Sequence, residues 1–173
     1  MSLSIRLART EEAPLLPAIE RSAAQAFLEH PGLEWIARGS VMSLEDHLGF
    51  IEAGHEWLLT DEHDQPQGFI CVTPAGTDLF IHELSVAQPV QGQGQGRRLI
   101  ATVRQWASDQ GFQGLTLTTF AQVPWNAPFY ARLGFELLTE TQLNPALSQQ
   151  LRREQLQLKS TRCAMRLPLQ PLS

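Results

Sequence analysis

At 173 residues the chain is long enough for one domain with a sizeable core. Hydrophobic residues make up 43% and charged residues 18%, which excludes a disordered or low-complexity chain. Thirteen basic against 18 acidic residues give a formal charge of −5. That balance argues against a nucleic-acid partner, and it suits a cationic substrate as well as it suits the mild acidity of many soluble proteins.

The two cysteines, Cys71 and Cys163, lie in apolar stretches without a CxxC spacing, so two buried reduced thiols are expected and no metal. The N-terminus has no charged region followed by an apolar run, and no run approaches 18 apolar residues. The expectation is a cytoplasmic protein with no membrane association.

In chain order, residues 4–7 alternate as an opening strand. Thr10-Glu11-Glu12 reads as an N-cap with acids in the first turn. Leu15, Leu16, Ile19, Ala23, Ala26 and Phe27 follow at helical spacing, until His30-Pro31-Gly32 stops the helix. Residues 33–41 read as irregular. Ser43 caps a second helix with Leu44, His47, Leu48 and Ile51 on one face and Gly54 as its stop. Residues 56–59, 68–72 and 79–86 read as strands. The links DEHDQPQG and TPAGTD carry turn chemistry, which predicts antiparallel pairing.

The best helix runs over residues 96–110, with Leu99, Ile100, Val103, Trp106 and Ala107 on one face and Gly111 closing it. Residues 115–119 form a strand, and Asn126 opens a short helix through Tyr130 that Gly134 ends. Residues 135–139 read as a strand. Asn144-Pro145 opens a helix to about Leu158, and residues 162–167 are the last strand. No repeat or linker divides the string, so a single domain over 1–173 is expected.

The stretch QGQGQG, residues 91–96, joins a strand to the amphipathic helix. A phosphate loop of the GxxxxGK[ST] type needs a lysine and a hydroxyl that do not follow here. The dinucleotide fingerprint needs GxGxxG and an acid closing the next strand, and the chain offers GxGxG with no such acid. A spacer does not fit a run that is one loop long. Free N–H groups at a helix N-terminus suit an anion. Gly92, Gly94 and Gly96 allow close approach and left-handed dihedrals, and Arg97 and Arg98 add charge. The loop therefore reads as a cradle for a pyrophosphate that is held and not cut.

Gln91-x-x-Gly94-x-Gly96, after a strand and opening a helix, resembles motif A of the GNAT superfamily of acyl-CoA-dependent N-acyltransferases. NAPFYARLGF, residues 126–135, is similar to motif B of that family, with its Tyr-x-x-x-Gly-Phe ending. The resemblance covers roughly residues 5–167 and includes the element order. It implies an α/β fold with a central mixed, mostly antiparallel sheet, splayed between its fourth and fifth strands and flanked by helices. It implies acetyl-CoA as co-substrate, with the pantetheine arm on the backbone of Leu84, Ser85 and Val86. The pyrophosphate then lies on Gln91, Gly92, Gln93, Gly94, Gln95, Gly96 and Arg97. The acceptor is an amine of a small molecule or peptide, and dimers are common in the family.

Acyl transfer to an amine needs a base, a polarised carbonyl and a proton for the leaving thiolate. The family's usual route is direct attack in a ternary complex, with a backbone N–H near Val86 available to polarise the carbonyl. Tyr130, the only tyrosine, stands at the family's tyrosine position and is the candidate acid. Glu83 is the candidate base, directly or through water, with a structural ion-pair role as its alternative. His82 is a second candidate for the base, but strand parity places it with Leu84 and Val86 on the core face, as a satisfied, partly buried histidine. Asn126 resembles the asparagine that contacts the CoA arm, but many members place it seven residues before the tyrosine, where this chain has Val123. A plain helix cap is the alternative for Asn126. Trp125 either packs on the cofactor or lines the acceptor pocket, or simply fills core. The acceptor side is expected from residues 27–51 and 141–160, with Trp35, Glu34, Glu45 and Asp46 as either a cationic-amine pocket or a solvated face. A non-catalytic acyl-CoA-binding module on the same scaffold is the alternative function, and a nucleotide-binding protein is a third.

Overall fold

The computed structural model describes residues 2–157 and 161–170. The strands are β1 (Ser4–Leu7), β2 (Glu56–Thr60), β3 (Pro66–Ala75), β4 (Asp78–Val86), β5 (Gly114–Phe120), β6 (Glu136–Leu137) and β7 (Arg162–Pro168). The helices are α1 (Leu16–Ala24), α2 (Glu34–Ala37), α3 (Leu44–Glu52), α4 (Gln95–Asp109), α5 (Ala127–Arg132) and α6 (Pro145–Gln157). The seven strands form one sheet in the order β1-β2-β3-β4-β5-β7-β6. β1–β2, β2–β3, β5–β7 and β6–β7 pair antiparallel, and β4–β5 pair parallel. This is the mixed α/β architecture that the sequence led us to expect.

The β4–β5 ladder runs from Asp78 opposite Gly114 to Phe80 opposite Thr116, although β4 continues to Val86 and β5 to Phe120. The chain divides into two compact units at the same place, Met1–Thr73 with His82–Val103, and Pro74–Ile81 with Arg104–Ser173. In the first unit Leu16, Leu58, Leu59, Phe69, Ile70 and Leu99 are fully buried. All five residues of β2 are buried, so this strand is covered on both faces. In the second unit Leu79, Leu115, Leu117 and Met165 are buried. Each such side chain contributes about 1.5–3 kcal/mol of transfer free energy.

Turn chemistry explains the connections. Asp61 Oδ1 accepts from the amides of His63 (2.9 Å) and Gln65 (3.0 Å), which tightens the β2–β3 turn around Asp64. Ser43 caps α3 by accepting from Asp46 N, and Asn144 caps α6 by accepting from Leu147 N at 2.8 Å. The expected end of α6, Leu158, lies outside the described residues.

Several local expectations change. Residues 10–15 are 3-10, and the α-helix starts only at Leu16, because Pro14 and Pro17 withhold amide donors. Glu12 does not serve the helix dipole alone. It receives the Arg6 guanidinium with both oxygens (2.8 and 2.6 Å), and Arg9 N at 2.8 Å, which holds its carboxyl below the usual range. Within residues 33–41 there is a four-residue helix, α2, entered where Glu34 accepts from Gly32 N and Trp35 Nε1 donates to Gly32 O. The strand expected over 135–139 shrinks to two residues. Thr139 leaves it and forms a capping box with Gln142 over the 3-10 segment Glu140–Gln142.

Candidate active site

The Gln-Gly run is a shaped loop. Gly92 and Gly94 have φ of +75° and +78°, in the left-handed region where a Cβ is disfavoured, and α4 begins at Gln95 directly after them. Gly96 differs from expectation: it lies in the first turn of α4 and is not among the positive-φ glycines. Gln91 points inward. Its Nε2 donates to Val86 O at 2.8 Å and Ala23 O at 3.4 Å, tying the loop to the end of β4 and to α1. Arg97 is exposed beside the loop. Arg98 instead reaches Gln95 Oε1 (2.8 Å) and Leu3 O (3.0 Å), so it braces the helix start.

On β4 simple alternation fails. Ser85 is buried, Glu83, Leu84 and Val86 are half-buried, and His82 is exposed, its ring 5.0 Å from that of Phe50 on α3. Leu84 and Val86 are therefore not fully core, and His82 is not a core histidine. Asp78, Leu79, Phe80 and Ile81 are buried in succession, so β4 changes environment at His82, where the chain passes between units. Glu83 Oε1 accepts from Ser85 Oγ at 3.3 Å.

Behind Glu83 stands a polar cluster that the sequence did not reveal. Glu56 sits opposite Cys71 in the β2–β3 ladder. Its carboxylate meets His47 Nδ1 of α3 at 2.8 and 3.2 Å, and both side chains are fully enclosed. Burial holds the Glu56 carboxyl above its usual range, against the opposing bond from His47. Glu20 of α1 is half-buried and accepts from Met42 N at 3.0 Å, and burial raises it as well. Met42 Sδ lies 3.8 Å from Cys71 Sγ. Burial pushes the Cys71 thiol well up, and the charges of Glu56, Glu83 and Glu20 push it further. The one sequence cue was His47 on an otherwise apolar helix face, since a buried imidazole needs a partner. Glu56 gave none, because an acid at a strand start looks like a boundary residue. Both cysteines are free, Cys71 buried and Cys163 half-buried. We expect iodoacetamide, followed by mass spectrometry, to label Cys163 well before Cys71 in the native protein.

In the second unit, Tyr130 is half-buried on α5, with its ring 5.1 Å from Phe129 and 5.6 Å from Phe135. Asn126 occupies the N-cap position of α5 but makes no side-chain cap bond. Its Oδ1 accepts from Thr119 Oγ1 of β5 at 2.6 Å instead, so the simple cap reading is wrong. That leaves the Asn126 amide group as an unpaired donor among the described residues. Trp125 is partly exposed, with 39% of its surface accessible, and is not core. Helix α6, in the stretch expected to border the acceptor, buries Leu147 and is held at its other end by Glu154. Both Glu154 oxygens approach Thr118 Oγ1 (2.8 and 2.7 Å), and Arg162 bonds the same carboxylate while lying over the Phe120 ring. Of the acids suggested for a cationic pocket, Glu34 is used by Gly32, and Glu45 and Asp46 are exposed in the first turn of α3. Among the described residues no group of three or more His, Cys, Asp or Glu side chains is placed to hold a metal ion. No described helix is long and apolar enough to cross a membrane.

A mixed sheet with one parallel pair at its centre, and a left-handed glycine loop opening the helix between those strands, is the scaffold of an acetyltransferase. The chain belongs to the acetyltransferase (GNAT) family, whose model matches residues 18–135. It is similar to mouse N-alpha-acetyltransferase 80, at 41% identity over 59 residues. That match takes in 34% of this chain and only 18% of the mouse protein. Among solved structures, the PaiA N-acetyltransferase of Thermoplasma acidophilum in complex with coenzyme A aligns over 97% of this chain and 99% of its own (TM-score 0.70, 16% identity). The ribosomal-protein-S18-alanine N-acetyltransferase of Escherichia coli aligns over 99% and 97% (TM-score 0.69, 17% identity). N-acetylglutamate synthase of Neisseria gonorrhoeae, complexed with coenzyme A and N-acetyl-glutamate, aligns over 98% of this chain and 36% of its own (TM-score 0.68, 21% identity).

Proposed function

We propose that the protein transfers an acetyl group from acetyl-CoA to a primary amine of a small molecule or peptide, by direct attack in a ternary complex. The observation that carries this reading is the left-handed Gly92–Gly94 loop at the start of α4 in a chain of this family. Amides at that helix start hold the pyrophosphate. Backbone of Leu84, Ser85 and Val86 pairs with the pantetheine arm, and the unpaired amide of Asn126 supplies a further donor to it. Gln91 acts indirectly, by fixing the loop to Val86 O.

Glu83, directly or through water, takes the proton from the ammonium. The free amine attacks the thioester carbonyl, and the C–S bond breaks. Tyr130 gives its phenolic proton to the departing thiolate, and the surplus proton on the new amide nitrogen leaves through water, which restores the phenol, while the proton held by Glu83 passes to solvent. The family match crosses both compact units, which supports reading the chain as one catalytic domain. Solved relatives that contain coenzyme A support the choice of co-substrate.

The experiment is thiol release from acetyl-CoA against a broad amine panel. Turnover with at least one amine is expected, and tight CoA binding with no turnover on any amine overturns the enzyme reading. Gly94→Val should weaken CoA binding about 5–30-fold, the cost of roughly 1–2 kcal/mol for a left-handed non-glycine residue. A Cβ there meets no neighbouring atom, so the loss comes from the backbone and not from a clash. Calorimetric titration with CoA reads it, and normal affinity removes the loop from the cofactor site.

A further inference from the structure

Ser85 is only 3% exposed in β4, and a buried strand position favours an apolar or β-branched side chain. Serine is neither. A hydroxyl taken out of water is costly unless it is hydrogen-bonded, so the bond it makes accounts for its presence. Ser85 Oγ donates to Glu83 Oε1 at 3.3 Å, the one hydrogen bond of this hydroxyl among the described residues. Residues two apart on a strand project from the same face, so the contact needs no detour of the chain. Ser85 is enclosed and Glu83 half-buried. The hydroxyl is the anchored member of the pair and the carboxylate the accessible one.

The main chain under this pair is held by separate contacts from β3. The Cys71 thiol donates to Glu83 O, with sulfur and oxygen 4.0 Å apart. Just past the strand, Ala87 N donates to Gln67 O at 2.8 Å. Gly68 lies so close that a Cβ on it would stand 2.9 Å from Ser85 O, and 3.5 Å from Val86 Cα. A glycine in a strand marks such a close approach of two backbones. A positioning contact works only on a backbone that cannot drift, and Ser85 has one.

We propose that Ser85, through its side chain, is a positioning residue for the base: its hydroxyl fixes one oxygen of the Glu83 carboxylate and leaves the other for the ammonium proton or for the water that carries it. The inference rests on Glu83 being the base of the proposed transfer. It is separate from the backbone role of Ser85 beside the pantetheine arm. A glutamate side chain has several rotatable bonds, and setting them before the amine arrives removes an entropic cost from the proton-transfer step. Ser85 itself gives up no proton.

CoA release at saturating acetyl-CoA reads the effect, with butylamine, lysine amide and alanine amide as acceptors and calorimetric titration with CoA beside it. Ser85→Ala should lower kcat about 3–30-fold, between the worth of a neutral hydrogen bond and that of one to a charged group. The dissociation constant for CoA should change less than about twofold, because the strand backbone is kept. Ser85→Thr keeps a hydroxyl and should retain most of the activity. In a Glu83→Gln background, Ser85→Ala should cost nothing further, as expected where one residue acts only through the other. Unchanged kcat in Ser85→Ala overturns the inference. So does the same loss in the Glu83→Gln background, a threonine variant no faster than the alanine one, or a weakened CoA affinity that accounts for the loss. Each of these leaves the acetyltransferase reading intact. A Glu83→Gln variant as active as wild type removes the base and this inference with it, and acetyl transfer still stands. No turnover of any amine, with CoA bound, removes the underlying reading and the inference together.

Discussion

Tyr130→Phe should lower kcat by about 10²-fold or more, the contribution of one general acid, and change the dissociation constant for CoA by less than about threefold. The substitution deletes a single oxygen. The ring contacts to Phe129 and Phe135 remain, so the packing of α5 and its position on the chain are kept. A thiolate like that of CoA has a conjugate acid near 8.5, and a phenol sits near 10. Proton transfer between them is thus uphill by only about 1.5 units, so Tyr130 can donate fully or stabilise the thiolate by a strong hydrogen bond. Either way the interaction exists only as the C–S bond breaks, and its loss appears in kcat and not in ground-state binding. Single-turnover kinetics beside CoA titration separates the two. Unchanged turnover would return Tyr130 to a packing role on α5.

The parts of this architecture that repeat a local rule were readable from the sequence. Amphipathic spacing places Leu99, Ile100, Val103 and Ala107 on the buried face of α4. Cap residues place Ser43 and Asn144 at the helix starts that the structure has. The glycine loop and Tyr130 are legible because they are short, contiguous motifs. The cluster of Glu20, His47, Glu56 and Cys71 is not, since its members come from four separate elements and only tertiary packing collects them. His82 misled for a related reason. Alternation assumes one environment along a strand, whereas β4 passes from a continuously buried segment to a half-exposed one at that residue. For Asn126 the alternative of a plain helix cap fails because a hydroxyl from Thr119 takes its acceptor oxygen, a contact set by the strand before the helix.

The His47–Glu56 pair is where stability is most exposed to a single change. Replacing His47 by Leu leaves a carboxyl group enclosed at the base of β2 without its partner. Breaking a buried pair in this way costs about 3–5 kcal/mol, a large share of the roughly 5–15 kcal/mol that holds a domain together. The imidazole also stands edge-on to Phe69 with ring centres 4.9 Å apart, so some of the loss is packing. The double variant His47→Leu with Glu56→Leu removes both polar groups at once and should be less destabilised than His47→Leu alone. Urea unfolding of the two single variants and the double variant measures this coupling, and additive effects would mean that the two groups do not depend on each other. The pH dependence has a definite sign. Burial raises the Glu56 carboxyl in the folded state above the value of 4.5 for the free side chain. Its contribution is therefore fully present below 4.5 and is lost as pH rises through the folded value. The stability of the wild-type protein relative to Glu56→Leu should fall as pH climbs through that window. A rising difference would mean that the bond to His47, and not burial, sets the protonation of the pair.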